Sequence, residues 1–150
     1  MTNEIEEDYL KPTGELYDAL PEETRVWVKS TASTIRTYFY LWCIFIVLSG
    51  AAIYILLLIN PLLEEANTWF QRSGSLITLV ASIGEATFIV KLNKLVSVRH
   101  WANLTCEIYI ERVYKPYLHF SIVMTFLFIV YGTITWGYGD LLHPFLVTDK

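Results

Sequence analysis

The sequence predicts an all-α integral membrane protein with three transmembrane helices. Hydrophobic residues make up 54% of the 150 residues, and the mean hydropathy is +0.41, which is too apolar for an ordinary soluble domain. Three segments with few or no charges follow one another at residues 37–59, 74–92 and 118–139. Each is long enough to cross a hydrocarbon core of roughly 30 Å.

The first transmembrane helix follows an acidic arm at residues 1–20. This arm is rich in Asp and Glu, so we expect it to be solvated, partly mobile and cytoplasmic. Pro21-Glu22-Glu23 predicts a helix start, because proline suits the first turn and acids favour the positive end of the helix dipole. The apolar run from Thr37 to Ile59 is the span, and Asn60-Pro61 is expected to end it.

The second transmembrane helix contains a carboxylate. Residues 74–90 form a run of 17 residues whose only charge is Glu85. Polar residues recur at helical spacing and share one side of the predicted helix: Ser75, Thr78, Ser82 and Glu85. An ionised carboxylate in hydrocarbon costs at least ~3 kcal/mol on insertion scales, so this side is expected to face a partner or water.

The third transmembrane helix ends in aromatic residues typical of a membrane interface, and residues 140–150 form a short tail. Lysines and arginines concentrate before the first span and in the basic segment at residues 91–117. The positive-inside rule then places the N-terminus and this segment in the cytoplasm and the C-terminus outside. We expect the first two helices to extend into the cytoplasm, within a membrane domain that covers residues 21–139.

The basic segment is also a candidate binding site. Its bases are Lys91, Lys94, Arg99, Arg112 and Lys115. They are suited to an anionic lipid, a nucleotide or a nucleic acid, or they serve as a topology signal alone.

The role of Glu85 has two alternatives. It lines a conduction path, or it forms a structural hydrogen bond with a neighbouring helix. Three helices enclose no pore by themselves, whereas several copies of the polar side would surround a lumen with a ring of carboxylates. The first alternative therefore predicts a homo-oligomer.

His119 lies near the predicted cytoplasmic end of the third span, where it is a candidate polar partner for Glu85 or an interfacial histidine. Arg112 and His119 also have the loose spacing seen in HEPN ribonucleases, although we expect Pro116 to interrupt the helix between them. The sequence has no Gly-rich phosphate loop, HExxH motif or nucleophile elbow. We therefore expect no enzyme activity, no cofactor and no metal.

The heptapeptide at residues 69–75, WFQRSGS, resembles a W-[FS]-x-R-S-G-[SA] opening of small bacterial inner-membrane proteins. With its size and layout, the chain resembles the small membrane effectors of bacterial anti-phage operons, such as Hailong-type effectors. The resemblance implies an oligomeric channel that depolarises an infected cell and responds to a nucleotide or oligonucleotide from a partner enzyme. Only Arg72, Ser73 and Gly74 carry over from the local match.

The functional prediction is an oligomeric ion channel or pore-forming effector in the bacterial inner membrane, in contact with membrane lipid and gated from the cytoplasm. The first alternative is a non-conducting membrane anchor that recruits a partner protein. The second is a membrane-tethered, HEPN-like ribonuclease that uses Arg112 and His119.

Overall fold

A computed structural model describes residues 11–59, 65–97 and 104–146, and side chains in the last range from 105 to 141. All regular structure in these ranges is helical. The elements are α1 (Thr13–Asp18), α2 (Glu22–Ile59), α3 (Ala66–Gly84), a π-helical turn (Glu85–Ile89), α4 (Val90–Val96) and α5 (Leu104–Leu146). Among the described residues, three helices are long and apolar enough to cross a membrane: Glu22–Ile59, Ala66–Val96 and Thr105–Leu141. This confirms the prediction of an all-helical chain with three such helices.

Helix α2 begins where the sequence predicts, directly after Pro21, and continues for 38 residues. Val28, Ile35 and Trp42 are buried at seven-residue intervals, so one side of the helix faces the rest of the chain. Large apolar residues such as Val47 and Leu48 are about two-thirds exposed, at 68% and 65%. Such exposure is expected for a helix that faces lipid.

The second long helix ends within the basic segment. Ser97 has an extended backbone with ψ of 134° and ends α4 after Val96. Its hydroxyl donates to Oδ1 of Asn93 at 3.1 Å. The rest of the described basic segment, from Leu104 onward, belongs to α5. The second helix therefore does not continue past Val96 into α5, and the prediction that the first two helices extend into the cytoplasm stays a prediction.

Helix α5 continues through Pro116, which contradicts the expected interruption. Proline removes one backbone hydrogen bond and crowds the preceding turn. Here a continuous buried side spans the proline, with Tyr114, Leu118 and Ser121 buried at helical spacing while Pro116 itself is exposed. Packing on both sides therefore keeps the helix intact across the missing hydrogen bond.

The chain divides into two compact units, one within Met1–Tyr40 and Phe88–Ser121 and the other within Leu41–Thr87 and Ile122–Lys150.

In the first unit, the acidic arm is not solvated throughout. Leu16 is 1% exposed and Leu20 is 6% exposed, and the rings of Tyr17 and Tyr109 lie 5.4 Å apart. The apolar residues between the acids pack α1 against the rest of the unit. The prediction of a solvated arm considered the acids and did not take account of these apolar residues.

Candidate functional site

The second compact unit is held by a close contact between α3 and α5. A Cβ atom added to Gly132 would lie 2.7 Å from the carbonyl oxygen of Gly74 and 2.5 Å from Oγ1 of Thr78. A Cβ added to Gly139 would lie 2.7 Å from Cα of Gln71. The Gln71 side-chain amide also donates to the carbonyl oxygen of Trp136 at 3.0 Å. Small residues thus let the two backbones touch, as is common between membrane helices.

The hydroxyl groups of the predicted polar side bond to their own helix. Ser75 donates to the carbonyl of Arg72 at 2.7 Å, Thr78 to that of Gly74 at 3.1 Å and Ser82 to that of Thr78 at 2.9 Å. Ser75 and Ser82 are exposed, whereas Thr78 is half-buried against Gly132. Of the three hydroxyl residues, Thr78 therefore has an internal packing role, and the two serines remain available to line an outer surface.

Glu85 differs from these residues because its carboxylate has no hydrogen-bond or ion-pair partner among the residues that the structure describes. Its side chain is exposed, and its backbone N–H is shared between the carbonyls of Ala81 and Ser82. It also opens the π-helical turn Glu85–Ile89. Single π turns within α-helices are rare overall, but many of those that occur lie at functional sites.

Thr125 on α5 is an unusual hydroxyl in the same unit. It is 2% exposed, and its Oγ1 has no hydrogen-bond partner in the described part of the chain. Ser121 and Thr133 on the same helix donate to the carbonyl four residues earlier, at 2.9 and 2.7 Å. A buried polar group without a partner costs about 1–3 kcal/mol, so Thr125 is an exception that requires an explanation. The amino-acid sequence did not predict an unpartnered hydroxyl at Thr125, because a threonine in an apolar span usually donates a hydrogen bond to a carbonyl of its own helix.

His119 is exposed on α5 and belongs to the first compact unit, whereas Glu85 belongs to the second. Its pairing with Glu85 stays a prediction. The Arg112 guanidinium donates to the backbone carbonyl of Lys11 at 2.5 Å. This contact gives Arg112 a structural function, because it holds the residue that shortly precedes α1 against α5.

The bases of the predicted ligand site are used in different ways. Lys115 forms an ion pair with Glu111 at 2.8 Å, while Lys91 and Lys94 are exposed. The ammonium group of Lys91 lies 5.5 Å from the ring centre of Tyr38. Arg99 lies outside the described residues. The five bases are therefore not equivalent, and Lys91 and Lys94 are the exposed members without a described ion pair.

An aromatic cluster with an arginine lies in the first unit and was not predicted. The guanidinium carbon of Arg36 is 6.0 Å from the ring centre of Tyr114, and the rings of Phe39 and Tyr117 are 5.2 Å apart. These side chains line a cavity of about 190 Å³. The sequence did not predict this cluster because Arg36 and the α5 tyrosines lie in two distant segments, which only the fold brings together.

In the second unit, a larger and almost wholly apolar groove of about 230 Å³ lies between α2, α3 and α5 and includes Ile53, Ile77 and Phe128. No group of three or more His, Cys, Asp or Glu side chains suited to a metal ion occurs within residues 11–59, 65–97 and 104–146.

The long apolar helices and the isolated carboxylate define the class of this chain as an all-helical protein suited to membrane insertion. No protein-family model, curated protein or solved structure matches it. Its function is therefore argued from its own residues.

Proposed function

We propose that the chain is a homo-oligomeric ion channel or pore-forming effector of the bacterial inner membrane, with α3 lining the conduction path. Glu85 carries the proposal. It is a carboxylate in a helix suited to spanning a membrane, and its side chain is exposed on the single chain. A charge at such a position is expected to face water or a partner, because contact with lipid is costly.

An oligomer supplies the water that Glu85 needs. Several copies around an axis would place one carboxylate per chain in a shared lumen, as in cation-selective pores. The exposed hydroxyl-bearing residues Ser75 and Ser82 lie on the same side of α3, so they would line the lumen on one side of the carboxylate ring. Thr78 supports this wall from behind through its contact with Gly132.

Gating is proposed to occur on the side that carries Lys91 and Lys94, which the positive-inside rule places in the cytoplasm. Both are exposed, so they are available to phosphate groups of a nucleotide or oligonucleotide ligand or to anionic lipid. The proposed setting in anti-phage defence, with a partner enzyme that makes the ligand, depends on the local resemblance at residues 69–75.

The test is Glu85→Gln in purified protein reconstituted in a planar bilayer. Glutamine keeps the size and hydrogen bonding of the side chain but removes its charge. We expect single-channel cation conductance or cation-over-anion selectivity to fall several-fold, since the ring no longer concentrates cations. Glu15→Gln is the matched control, because Glu15 is an exposed carboxylate on α1, outside the three predicted spans.

Oligomer size by native mass spectrometry must be the same in the wild type and both variants for the comparison to hold. A wild-type oligomer without current, or a Glu85→Gln variant that conducts and selects like the wild type, would show that Glu85 does not line a pore. If Glu85→Leu assembles more stably and acts normally in cells, the membrane-anchor alternative becomes the better explanation.

A further inference from the structure

The aromatic cavity of the first unit lies between α2 and α5, where the sequence of both helices changes from charged to uncharged. Arg36 is the last charged residue before the run at 37–59, and Tyr117 directly precedes the run at 118–139, which contains no Asp, Glu, Lys or Arg. Both residues line the cavity. In a helix that crosses a membrane, such a change is expected at the level of the lipid headgroups, where tyrosine is also enriched.

The lining of this cavity combines one guanidinium group with three phenol groups. A guanidinium group presents five N–H donors in a planar fork, and each phenol group offers one O–H donor. None of the described lining residues is acidic. They are Ile35, Arg36, Phe39, Tyr40, Tyr114 and Tyr117. A lining of this kind is suited to an anion with several acceptor oxygens.

Ring contacts position the guanidinium group and the aromatic walls. The guanidinium carbon of Arg36 lies 6.0 Å from the ring centre of Tyr114, and Tyr114 is only 4% exposed. The ring of Tyr117 lies 5.9 Å from that of Tyr114 and 5.2 Å from that of Phe39. A cation–π contact attracts the charge of an arginine without an oxygen acceptor.

Arg36 differs from the other arginines that the structure describes in the first unit. The Arg25 guanidinium group donates to the backbone carbonyl of Asp18 at 2.5 Å, and the Arg112 guanidinium group also donates to a backbone carbonyl. Arg36 is exposed and has no hydrogen bond or ion pair among the described residues. Its donors therefore require acceptors from outside the described chain.

We propose that this cavity binds the headgroup of an anionic phospholipid, with the Arg36 guanidinium group donating to two oxygens of the lipid phosphate. Arginine and phosphate form bidentate, charge-assisted hydrogen bonds. The volume of about 190 Å³ is many times the roughly 10–15 Å³ that one water molecule requires, so a phosphate ester has room. The described lining offers no acid for an ammonium group, which favours an anionic headgroup over a zwitterionic one. This site goes beyond the proposed channel, because lipid binding here requires no conduction.

The experiment is native mass spectrometry of the full chain in detergent, titrated with phosphatidylglycerol or with phosphatidylcholine. We expect the wild type to retain phosphatidylglycerol in preference to phosphatidylcholine. Arg36→Gln removes the charge and the fork, and it should weaken retention of phosphatidylglycerol about tenfold, as expected for the loss of hydrogen bonds to a charged group. Arg36→Lys keeps the charge and loses the fork, so it should weaken retention by a smaller factor.

Lys29→Gln is the matched control. It removes one positive charge from an exposed position on α2, about two turns before Arg36 and outside the lining of the cavity. We expect it to retain phosphatidylglycerol like the wild type. Circular dichroism checks that each variant is folded, and Arg36→Lys decides the comparison if Arg36→Gln is not.

Three results would overturn the site: retention in the Arg36 variants that equals the wild type, an equal loss in Lys29→Gln, or equal retention of the two lipids by the wild type. A separate titration with inorganic phosphate, followed by calorimetry, distinguishes a lipid from a soluble source of phosphate. Binding of inorganic phosphate that depends on Arg36, in a protein that retains no phosphatidylglycerol, would overturn the lipid assignment.

Discussion

The contact between α3 and α5 predicts that one added methyl group will separate the helices. In Gly132→Ala, the new Cβ would lie 2.7 Å from the carbonyl oxygen of Gly74, about 0.7 Å closer than the 3.4 Å at which ordinary contact begins. The obstructing atoms include backbone, which cannot rotate away. Overpacking of this kind costs about 1–3 kcal/mol, and the higher helix propensity of alanine recovers at most about 1 kcal/mol.

Gly137→Ala on the same helix is the matched control, because nothing lies within 4 Å of its added Cβ. It is expected to be neutral or slightly stabilising. Unfolding of both variants by a denaturing detergent, followed by tryptophan fluorescence, gives the comparison. A loss of about 2 kcal/mol would change the unfolding equilibrium of Gly132→Ala about thirtyfold. A Gly132→Ala protein that is as stable as Gly137→Ala would show that the two backbones do not touch.

Two further predictions concern the first unit and the topology. Leu16→Ala should lower the free energy of unfolding by about 2–4 kcal/mol, since Leu16 is 1% exposed. The control Glu15→Ala changes an exposed residue and should stay within about 0.5 kcal/mol of the wild type. Equal losses of stability for the two variants in thermal unfolding would contradict the burial of α1. Reporter fusions at residue 1 and at residue 150 should report opposite sides of the membrane, with the first in the cytoplasm; termini on the same side would exclude three spans.

Hydrophobic runs predicted the three long helices because length and apolarity are local properties of a sequence. The start of α2 at Glu22 was also predicted from a local pattern, namely Pro21 followed by two acids. The helix boundaries in the basic segment were not predicted. Ser97 ends one helix through its extended backbone, and Pro116 remains inside another helix because residues on both sides of it are packed. Such outcomes depend on contacts that a sequence pattern does not contain.

The candidate site shows the same division. Glu85 was evident from its charge, whereas the inward role of Thr78 depends on Gly132, a residue 54 positions later. Leu16 and Leu20 were hidden among acids, and Arg36 was separated in sequence from the Tyr114 ring that it approaches. A sequence pattern therefore located the unusual charge, and the fold located the residues that surround it.

The division between the two compact units has a mechanical consequence. The chain crosses it after Tyr40 in α2, after Thr87 in the π turn and after Ser121 in α5, so every crossing is made by helical backbone and none by a loop. Helices transmit rotation and axial displacement as stiff rods, and a loop would absorb both. A displacement carried along the chain across these boundaries therefore loads helical hydrogen bonds, and the π turn, where the regular pattern is already broken, begins at Glu85. The proposed lumen charge thus begins the turn at which one of the three rods departs from regular α-helical hydrogen bonding.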